Sequence, residues 1–356
     1  MATRKVCVIA GDDAAPEVVR PTVQLLEQMD LGIEFVWLTT GEEAIRRYGE
    51  GFPPAAKAAV DEAACTLFGS TRDPRTAGLA YLRWGKKTYA NCRPVKWMPG
   101  MRSPLKTPEG IDFVIVRENL EGLYPGREGD LAKLAPLGLT DPMTLQVLDT
   151  SKKGKFAVRV ITEENTRNIA RAGCELALKR QASGQGRGKV TVVAKYNVLA
   201  QSDGMFRQIV EETVEQYPSL TFDQLLGDNF CQQMVINPHQ FDVVIMPNES
   251  GDAFSDGAAG LVGGLGLAPS ACIGDTYAYF EPVHGTAPDL AGKNVINPTA
   301  MLLSAKWMLD YLGLEGAAAR LEQAVYRVYA DGKLLTADQG GSASTTQFCR
   351  GVQDKL

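Results

Sequence analysis

The stretch that decides the fold covers residues 241–256 and reads FDVVIMPNESGDAFSD. Its first six residues form an apolar run typical of a buried strand, and the part that follows carries two carboxylates, Asp252 and Asp256, four positions apart. On a helix this spacing places both carboxylates on one face, where they can share a cation. The alternative is an acidic N-terminal turn that complements the helix dipole.

Similar apolar runs recur along the chain and alternate with segments of helical periodicity. They occupy residues 6–10, 34–38, 66–68, 111–116 and 190–194. After the first run, a Gly-Asp-Asp loop leads into a helical pattern that begins near Pro16 and that Pro21 should disturb. Thr162, followed by two glutamates, indicates another helix start. The alternation predicts an α/β protein.

The glycine fingerprint of classical dinucleotide-binding proteins is absent. Gly264 and Gly266 lack a third glycine at the required position, and the glycines at 184, 186 and 188 precede a strand instead of following one. The fold is therefore expected to be non-Rossmann, and a dinucleotide would have to be held in another way.

Composition excludes several classes of protein. The 356-residue chain has a net charge of −5, two His and seven Cys, and this acidic balance argues against nucleic-acid binding, which needs clustered Lys and Arg. The cysteines form no C-x-x-C pair and predict buried thiols in a reducing compartment. The apolar run at residues 6–10 is too short for a signal peptide or membrane span, so we expect a cytoplasmic protein with no membrane partner. Any metal should be a hard ion held by carboxylates.

Several side chains suit chemistry on a small polycarboxylate. Arg83, Arg93 and Arg117 could bind carboxylates bidentately if they converge, although a solvated arginine is the commoner case. Lys195 ends an apolar strand, where partial desolvation can turn a lysine into a base, but an ordinary edge lysine is the alternative. Asp228 is a further candidate carboxylate. In the loop at residues 280–293, glycine and proline let the backbone approach a ligand, and His284 could contact an adenine.

Together these segments resemble the β-decarboxylating dehydrogenases, which act on isopropylmalate, isocitrate, homoisocitrate, tartrate or D-malate. The resemblance covers the whole chain through these motifs, in order: Gly11-Asp12, Asn91-Cys92-Arg93-Pro94, Val116-Arg117-Glu118-Asn119, Gly251-Asp252 with Ser255-Asp256, residues 284–297 and Gly340-Gly341-Ser342.

The resemblance implies an isopropylmalate/isocitrate dehydrogenase-like fold of two domains. Residues 1–90 plus 262–356 would form a large cofactor-binding domain, and residues 91–261 a small domain with the interface of a homodimer. The implied activity is NAD-dependent oxidative decarboxylation of a 3-substituted malate to a 2-oxo acid and CO2, with Mg2+ or Mn2+.

The resemblance also assigns roles to the candidate residues. The arginines would grip the substrate, Lys195 would act as the base and Tyr124 as the acid that protonates carbon. Lys195 and Asp228 would come from the partner subunit. The metal ligands would be Asp228, Asp252 and Asp256, and the cofactor contacts would be His284, Gly285, Ala287, Asp289 and Asn297. An acidic residue at 289 repels a 2′-phosphate, which favours NAD over NADP.

The 3-substituent should meet Thr76, Leu79 and Ala80. Leu79 favours an apolar group and Ala80 leaves room for a large one, whereas Arg72 and Arg75 could instead receive a carboxylate or phosphonate.

The chain departs from the family at Asp13-Ala14-Ala15, Tyr196 and Glu249-Ser250. A tartrate or D-malate dehydrogenase and a non-catalytic regulatory subunit are the remaining alternatives; retention of the base and metal residues argues against the second.

Overall fold

The computed structural model describes residues 4–73, 75 and 77–356. Its strands are β1 (Arg4–Ile9), β2 (Ile33–Trp37), β3 (Cys65–Phe68), β4 (Ala90–Lys96), β5 (Asp112–Glu118), β6 (Glu128–Asp130), β7 (Lys155–Ala157), β8 (Lys189–Ala194), β9 (Thr221–Leu226), β10 (Val243–Met246), β11 (Pro269–Ile273) and β12 (Ala278–Pro282). Its α-helices are α1 (Pro16–Gln28), α2 (Gly41–Tyr48), α3 (Pro54–Glu62), α4 (Glu163–Ala182), α5 (Ser202–Val214), α6 (Gly227–Ile236), α7 (Asn248–Leu261), α8 (Thr299–Tyr311), α9 (Glu315–Asp331) and α10 (Thr345–Gln353).

Ten strands form one sheet in the order β2-β1-β3-β12-β11-β4-β5-β10-β8-β9, while β6 and β7 pair separately. The first five strands in this order come from residues 4–68 and 269–282, and the other five come from residues 90–246. β11 runs antiparallel to both β12 and β4, and β4 runs antiparallel to β5; the other pairs in this sheet are parallel. The division into domains at residues 90 and 262 stays a prediction.

The central strands are apolar on both faces because helices cover the sheet on both sides. In β10, Val243 and Ile245 belong to the core cluster that also contains residues of α4 and α5. Val244 and Met246, which point the other way, pack in a second cluster with Phe230 of α6. A third cluster lies around Tyr279 of β12.

The register of β5 and β10 positions the candidate site. The two strands are parallel, and Met246 pairs with Arg117, so the end of β5 lies beside the start of α7. Gly251 permits this approach, because a Cβ atom there would lie 2.7 Å from Cβ of Arg117. The side chains that end β5 and those of the first turns of α7 therefore meet.

The prediction of an α/β, non-Rossmann fold is confirmed. Thr162 caps α4 as expected, accepting a hydrogen bond from the Asn165 N–H. The expectation that Pro21 disturbs its helix is wrong, since α1 continues through it. The proline lacks an N–H, so the helix loses one backbone hydrogen bond there and is otherwise intact. Buried thiols are confirmed for six cysteines and wrong for Cys231, which lies on an exposed face of α6. Within the described residues, none of the helices is long and apolar enough to cross a membrane.

Candidate active site

Two arginines and two aspartates form the centre of the candidate site. The Arg93 Nη1 atom lies 3.1 Å from Oδ1 of Asp252 and 3.0 Å from Oδ1 of Asp256, and it donates to Ser255 Oγ at 2.8 Å. Arg117 pairs with Asp252. Both aspartates project from one face of α7, as their spacing predicts. The structure therefore brings together two of the three candidate metal ligands and two of the three candidate substrate-binding arginines.

Burial dominates the electrostatics of this cluster. It lowers the pKa of Arg117 to about 10, helped by the nearby positive charge of Arg93. It also raises the pKa of Asp256 above its usual value. Because two positive and two negative groups face one another, the cluster is close to neutral. A cation and an anionic substrate could therefore enter together with little net change of charge.

Asn248 orients Arg117. Its backbone carbonyl accepts from Nε at 2.9 Å and its side-chain oxygen accepts from Nη2 at 2.8 Å. The Asn248 amide in turn donates to buried Glu118 at 3.3 Å. These contacts fix the guanidinium plane, and the sequence did not reveal them, since they depend on the register of β5 and β10.

Tyr124 lies over this cluster. Its hydroxyl donates to Oδ2 of Asp252 at 3.1 Å, and its ring centroid is 5.2 Å from Cζ of Arg117. Burial of the hydroxyl and the adjacent carboxylate raise its pKa. The raised pKa keeps the hydroxyl protonated, and the side chain is still 46% exposed, so a bound molecule could contact it.

Arg83 lies close to the other two arginines but has different partners. Burial alone would lower its pKa, but Tyr279, Cys272 and Glu281 raise it overall. Burial raises the pKa of Glu281, and all three arginines act in the opposite direction. Glu281 is thus within electrostatic range of the whole set. The sequence did not single it out, because a carboxylate within an apolar strand has no local signature.

Lys195 and Asp228 form a separate pair. The Lys195 ammonium donates to Oδ2 of Asp228 at 2.9 Å, and both side chains are largely accessible. Among the described residues, no hydrogen bond or ion pair joins this pair to Asp252 or Asp256, and no three His, Cys, Asp or Glu side chains are grouped to hold a metal ion. The third predicted metal ligand therefore lies elsewhere in one chain.

The two α7 aspartates fit a hard divalent cation in their donor chemistry. Carboxylate oxygens are the ligands that Mg2+ and Mn2+ prefer, and Mg2+ commonly uses one or two of them together with substrate oxygens and water. Asp252 and Asp256 share the partner Arg93, which keeps their oxygens close together.

The predicted cofactor loop is anchored at several points. Ser70 donates to the His284 carbonyl at 2.5 Å, and the Ala14 N–H donates to the Thr286 carbonyl at 3.1 Å. The carboxylate of Glu17, in α1, accepts from the N–H groups of Gly292 at 2.5 Å and Asn294 at 2.6 Å.

His284 presents an unused nitrogen in this loop. Its Nδ1 atom faces the Gly285 carbonyl at 2.9 Å, so Nδ1 carries the proton and Nε2 is an acceptor. Nε2 is buried and has no hydrogen-bond partner within the described residues. Burial lowers the pKa of His284, which keeps the ring neutral. Such an acceptor fits the exocyclic amine of an adenine.

The other predicted cofactor residues differ in accessibility. Gly285 and Asp289 are exposed, and Ala287 adopts φ +48° just before the turn Pro288–Leu290 that presents Asp289. Asn297 is buried. Its amide donates to Asp338 at 2.9 Å and to Tyr329 at 3.1 Å, so any contact with a cofactor would come from its backbone.

The segment expected to meet the substituent is only partly described. Thr76 lies outside the described residues. Leu79 is partly buried against the third core cluster, and Ala80 precedes the short helical turn Tyr81–Gly85. Arg72 forms ion pairs with Asp13 at 2.8 Å and Glu42 at 3.3 Å.

Comparison with known proteins identifies the family of this chain. The profile of the family described as "Isocitrate/isopropylmalate dehydrogenase" matches residues 5–354. A "3-isopropylmalate/3-methylmalate dehydrogenase" of Methanocaldococcus jannaschii is 41% identical over 99% of this chain and 98% of its own. An "Isocitrate/homoisocitrate dehydrogenase" of Thermus thermophilus is 39% identical over 99% and 98%.

A solved structure of an isocitrate dehydrogenase has a similar fold. The crystal structure of isocitrate dehydrogenase from Methylococcus capsulatus superposes with a TM-score of 0.86 at 31% identity, covering 99% of both chains. The family match and the relatives indicate a dehydrogenase of the decarboxylating class on an α/β fold. The chain belongs to the isocitrate/isopropylmalate dehydrogenase family.

Proposed function

We propose that this protein catalyses NAD-dependent oxidative decarboxylation of a 3-substituted malate with Mg2+ or Mn2+. The observation that carries the proposal is the cluster of Arg93 and Arg117 against Asp252 and Asp256, with the Tyr124 hydroxyl on Asp252. It combines anion-binding forks, a pair of hard-metal ligands and a protonated acid at one place.

The arginines would exchange partners when the substrate binds. In the free protein they neutralise the two aspartates. With a divalent cation on the aspartates, the guanidinium groups become available to the malate carboxylates. Asn248 would hold the Arg117 plane during this exchange, because its two contacts to Arg117 involve neither aspartate.

The reaction then needs one base and one acid. Lys195 would take the C2 hydroxyl proton while hydride passes from C2 to NAD+, giving the ketone. The bond between C3 and its carboxylate breaks to release CO2, and Tyr124 would deliver a proton to C3. The bound cation would supply Lewis-acid polarisation of the C2 oxygen.

NAD+ is proposed as the oxidant on the evidence of the anchored loop. His284 Nε2 would accept a hydrogen bond from the adenine amine, and exposed Asp289 would accept from the ribose hydroxyls. A 2′-phosphate beside Asp289 would meet like charge, which supports NAD over NADP.

An apolar 3-substituent is the better candidate. Arg72 is occupied by Asp13 and Glu42, and Arg75 pairs with Asp73. Both arginines already face carboxylates of this chain, whereas Leu79 supplies apolar surface.

The active unit is proposed to be a homodimer with shared sites. Val198, Leu199, Val235 and Ile236 are exposed apolar side chains near Lys195 and on the helix that begins next to Asp228. We infer that these side chains belong to one surface that a second copy covers, since large exposed apolar patches commonly mark an interface. Covering it with a second copy would place Lys195 and Asp228 at that copy's aspartates.

The test is NADH formation with Mg2+ against malates carrying isopropyl, benzyl, carboxymethyl, carboxyethyl or phosphonomethyl groups, together with tartrate and D-malate. Each is run with NAD and with NADP. We expect the apolar malates and NAD to give the highest kcat/KM. Highest activity with tartrate or D-malate, or with an anionic substituent, would replace the substrate assignment. No NADH formation with any substrate of the panel would refute the proposed dehydrogenase activity.

A further inference from the structure

Arg159 connects three segments that carry candidate catalytic groups. It lies in the connection between β7 and α4, and its side chain is only 16% exposed. Its Nη1 atom lies 2.5 Å from Oδ1 of Asp203, and its Nε atom lies 2.9 Å from Oε1 of Glu249. No role in the reaction described above involves any of these three residues.

On one side, the contact reaches the base. Asp203, in the first turn of α5, is buried, and its second carboxylate oxygen accepts a hydrogen bond from the backbone N–H of Lys195 at 2.6 Å. Arg159 therefore neutralises the buried carboxylate of Asp203, which in turn fixes the backbone at the end of β8. Without Arg159, Asp203 would be a nearly buried, unpaired carboxylate, which a protein tolerates poorly.

On the other side, the contact reaches the metal-binding helix. Glu249 lies in the first turn of α7, three residues before Asp252. The ion pair with Arg159 therefore ties the start of this helix to the connection between β7 and α4. The same connection also contacts the segment before Tyr124, because the Gly122 N–H donates to the Val160 carbonyl at 2.9 Å.

We propose that Arg159 is a positioning residue that joins the strand end bearing Lys195 to the helix bearing Asp252, through Asp203 and Glu249. The inference rests on the proposed function. In a dimer with shared sites, Lys195 and Asp252 of one chain serve different active sites. Arg159 then couples the metal-binding half of one site to the base of the other.

The test uses heterodimers with a single working site. One chain carries K195M and keeps Asp252, its partner carries D252N and keeps Lys195, and the two bear different affinity tags. R159M is placed in either chain in turn. In the chain with Asp252, we expect the Mn2+ concentration for half-maximal rate to rise about tenfold while kcat changes little. In the chain with Lys195, we expect kcat to fall about tenfold or more while the Mn2+ dependence is retained.

Matched variants separate positioning from stability. Arg167 of α4 also pairs with two carboxylates, Glu163 and Glu212, so R167M is the control and should change neither quantity. R159K should show smaller losses than R159M, because lysine keeps the positive charge but lacks the planar guanidinium that pairs with two carboxylates. Equal effects of R159M in both chains, or the same effects from R167M, would overturn the proposal.

A binding measurement keeps the inference independent of turnover. Mn2+ affinity is measured by electron paramagnetic resonance on the homodimers of wild type, E249Q and E163Q. We expect E249Q to weaken Mn2+ binding about three- to tenfold and E163Q to leave it unchanged. Unchanged affinity in E249Q would refute the link to α7 even in an active enzyme. Weakened affinity in a protein inactive on every malate would support the link and refute the substrate assignment.

Discussion

At the scale of single residues, Asp252 contacts three other side chains of the candidate site. It faces Arg93, Arg117 and the Tyr124 hydroxyl. We expect D252N to lower kcat/KM at least about a hundredfold and Mn2+ affinity about ten- to a hundredfold, because the cation loses a charged ligand. Steady-state kinetics and Mn2+ binding measure both effects.

A matched control exists on α8. Asp310 is a partly buried carboxylate with one lysine partner, Lys306, at 2.9 Å. D310N should retain wild-type turnover. Full activity of D252N would show that its carboxylate is not a metal ligand.

His284 leads to a prediction about pH. Burial lowers its pKa, so the imidazole takes up a proton at lower pH than an ordinary histidine, whose pKa is near 6.5. Protonation would remove the Nε2 acceptor, and the lowered pKa moves this loss to lower pH. We therefore expect KM for NAD to stay constant within about twofold between about pH 6 and pH 8.

The pH series includes H284N as its comparison, which should have a uniformly higher KM for NAD. A KM for the wild-type enzyme that rises several-fold on acidification through about pH 6.5, and a flat profile for H284N, would show that the imidazole titrates normally.

The sequence predicts residues whose chemistry is local and misses those whose role depends on strand register. Asp252 and Asp256 are visible from their spacing on one helix. Asn248 and Glu281 act through neighbours on other elements that are distant in sequence, and these contacts exist only once the sheet has formed. Pairing of Lys195 with Asp228, across 33 positions, likewise required the structure.

At the scale of elements, the cofactor loop depends on α1. The Glu17 carboxylate accepts hydrogen bonds from two loop N–H groups, and a glutamine can replace only one of these acceptors and carries no charge. We expect E17Q to raise KM for NAD about three- to tenfold while kcat changes less than about twofold.

The control for this variant lies on the same helix. Glu27 is exposed, and E27Q should leave both constants unchanged. An unchanged KM in E17Q would mean that the loop keeps its conformation without this anchor.

The strand pattern was predicted well because buried strands are short apolar runs bounded by polar loops. Residues 66–68 and 190–194 were each placed within one residue of the observed strands. The strand predicted at residues 241–246 begins two residues later, because Phe241 and Asp242 follow a short 3-10 turn and Asp242 accepts from Arg180 and three backbone N–H groups. Such local networks are not encoded in periodicity.

At the scale of the whole molecule, shared active sites can be tested by complementation. We expect K195M and D252N homodimers to be nearly inactive and their co-expressed mixture to recover about a quarter of wild-type activity. Half of the dimers would be heterodimers, and each would contain one intact site. If Lys195 and Asp252 serve the same site within one chain, the mixture stays inactive.

The order of strands in the sheet has a consequence for biosynthesis. β12 lies between β3 and β11, yet about 200 residues separate it from β3 along the chain. At a synthesis rate of about 5–20 residues per second, β3 leaves the ribosome roughly 10–40 s before its neighbour exists. Ribosome-bound chains stalled before residue 278 should therefore be cleaved by added protease around β3, whereas the completed chain is protected there.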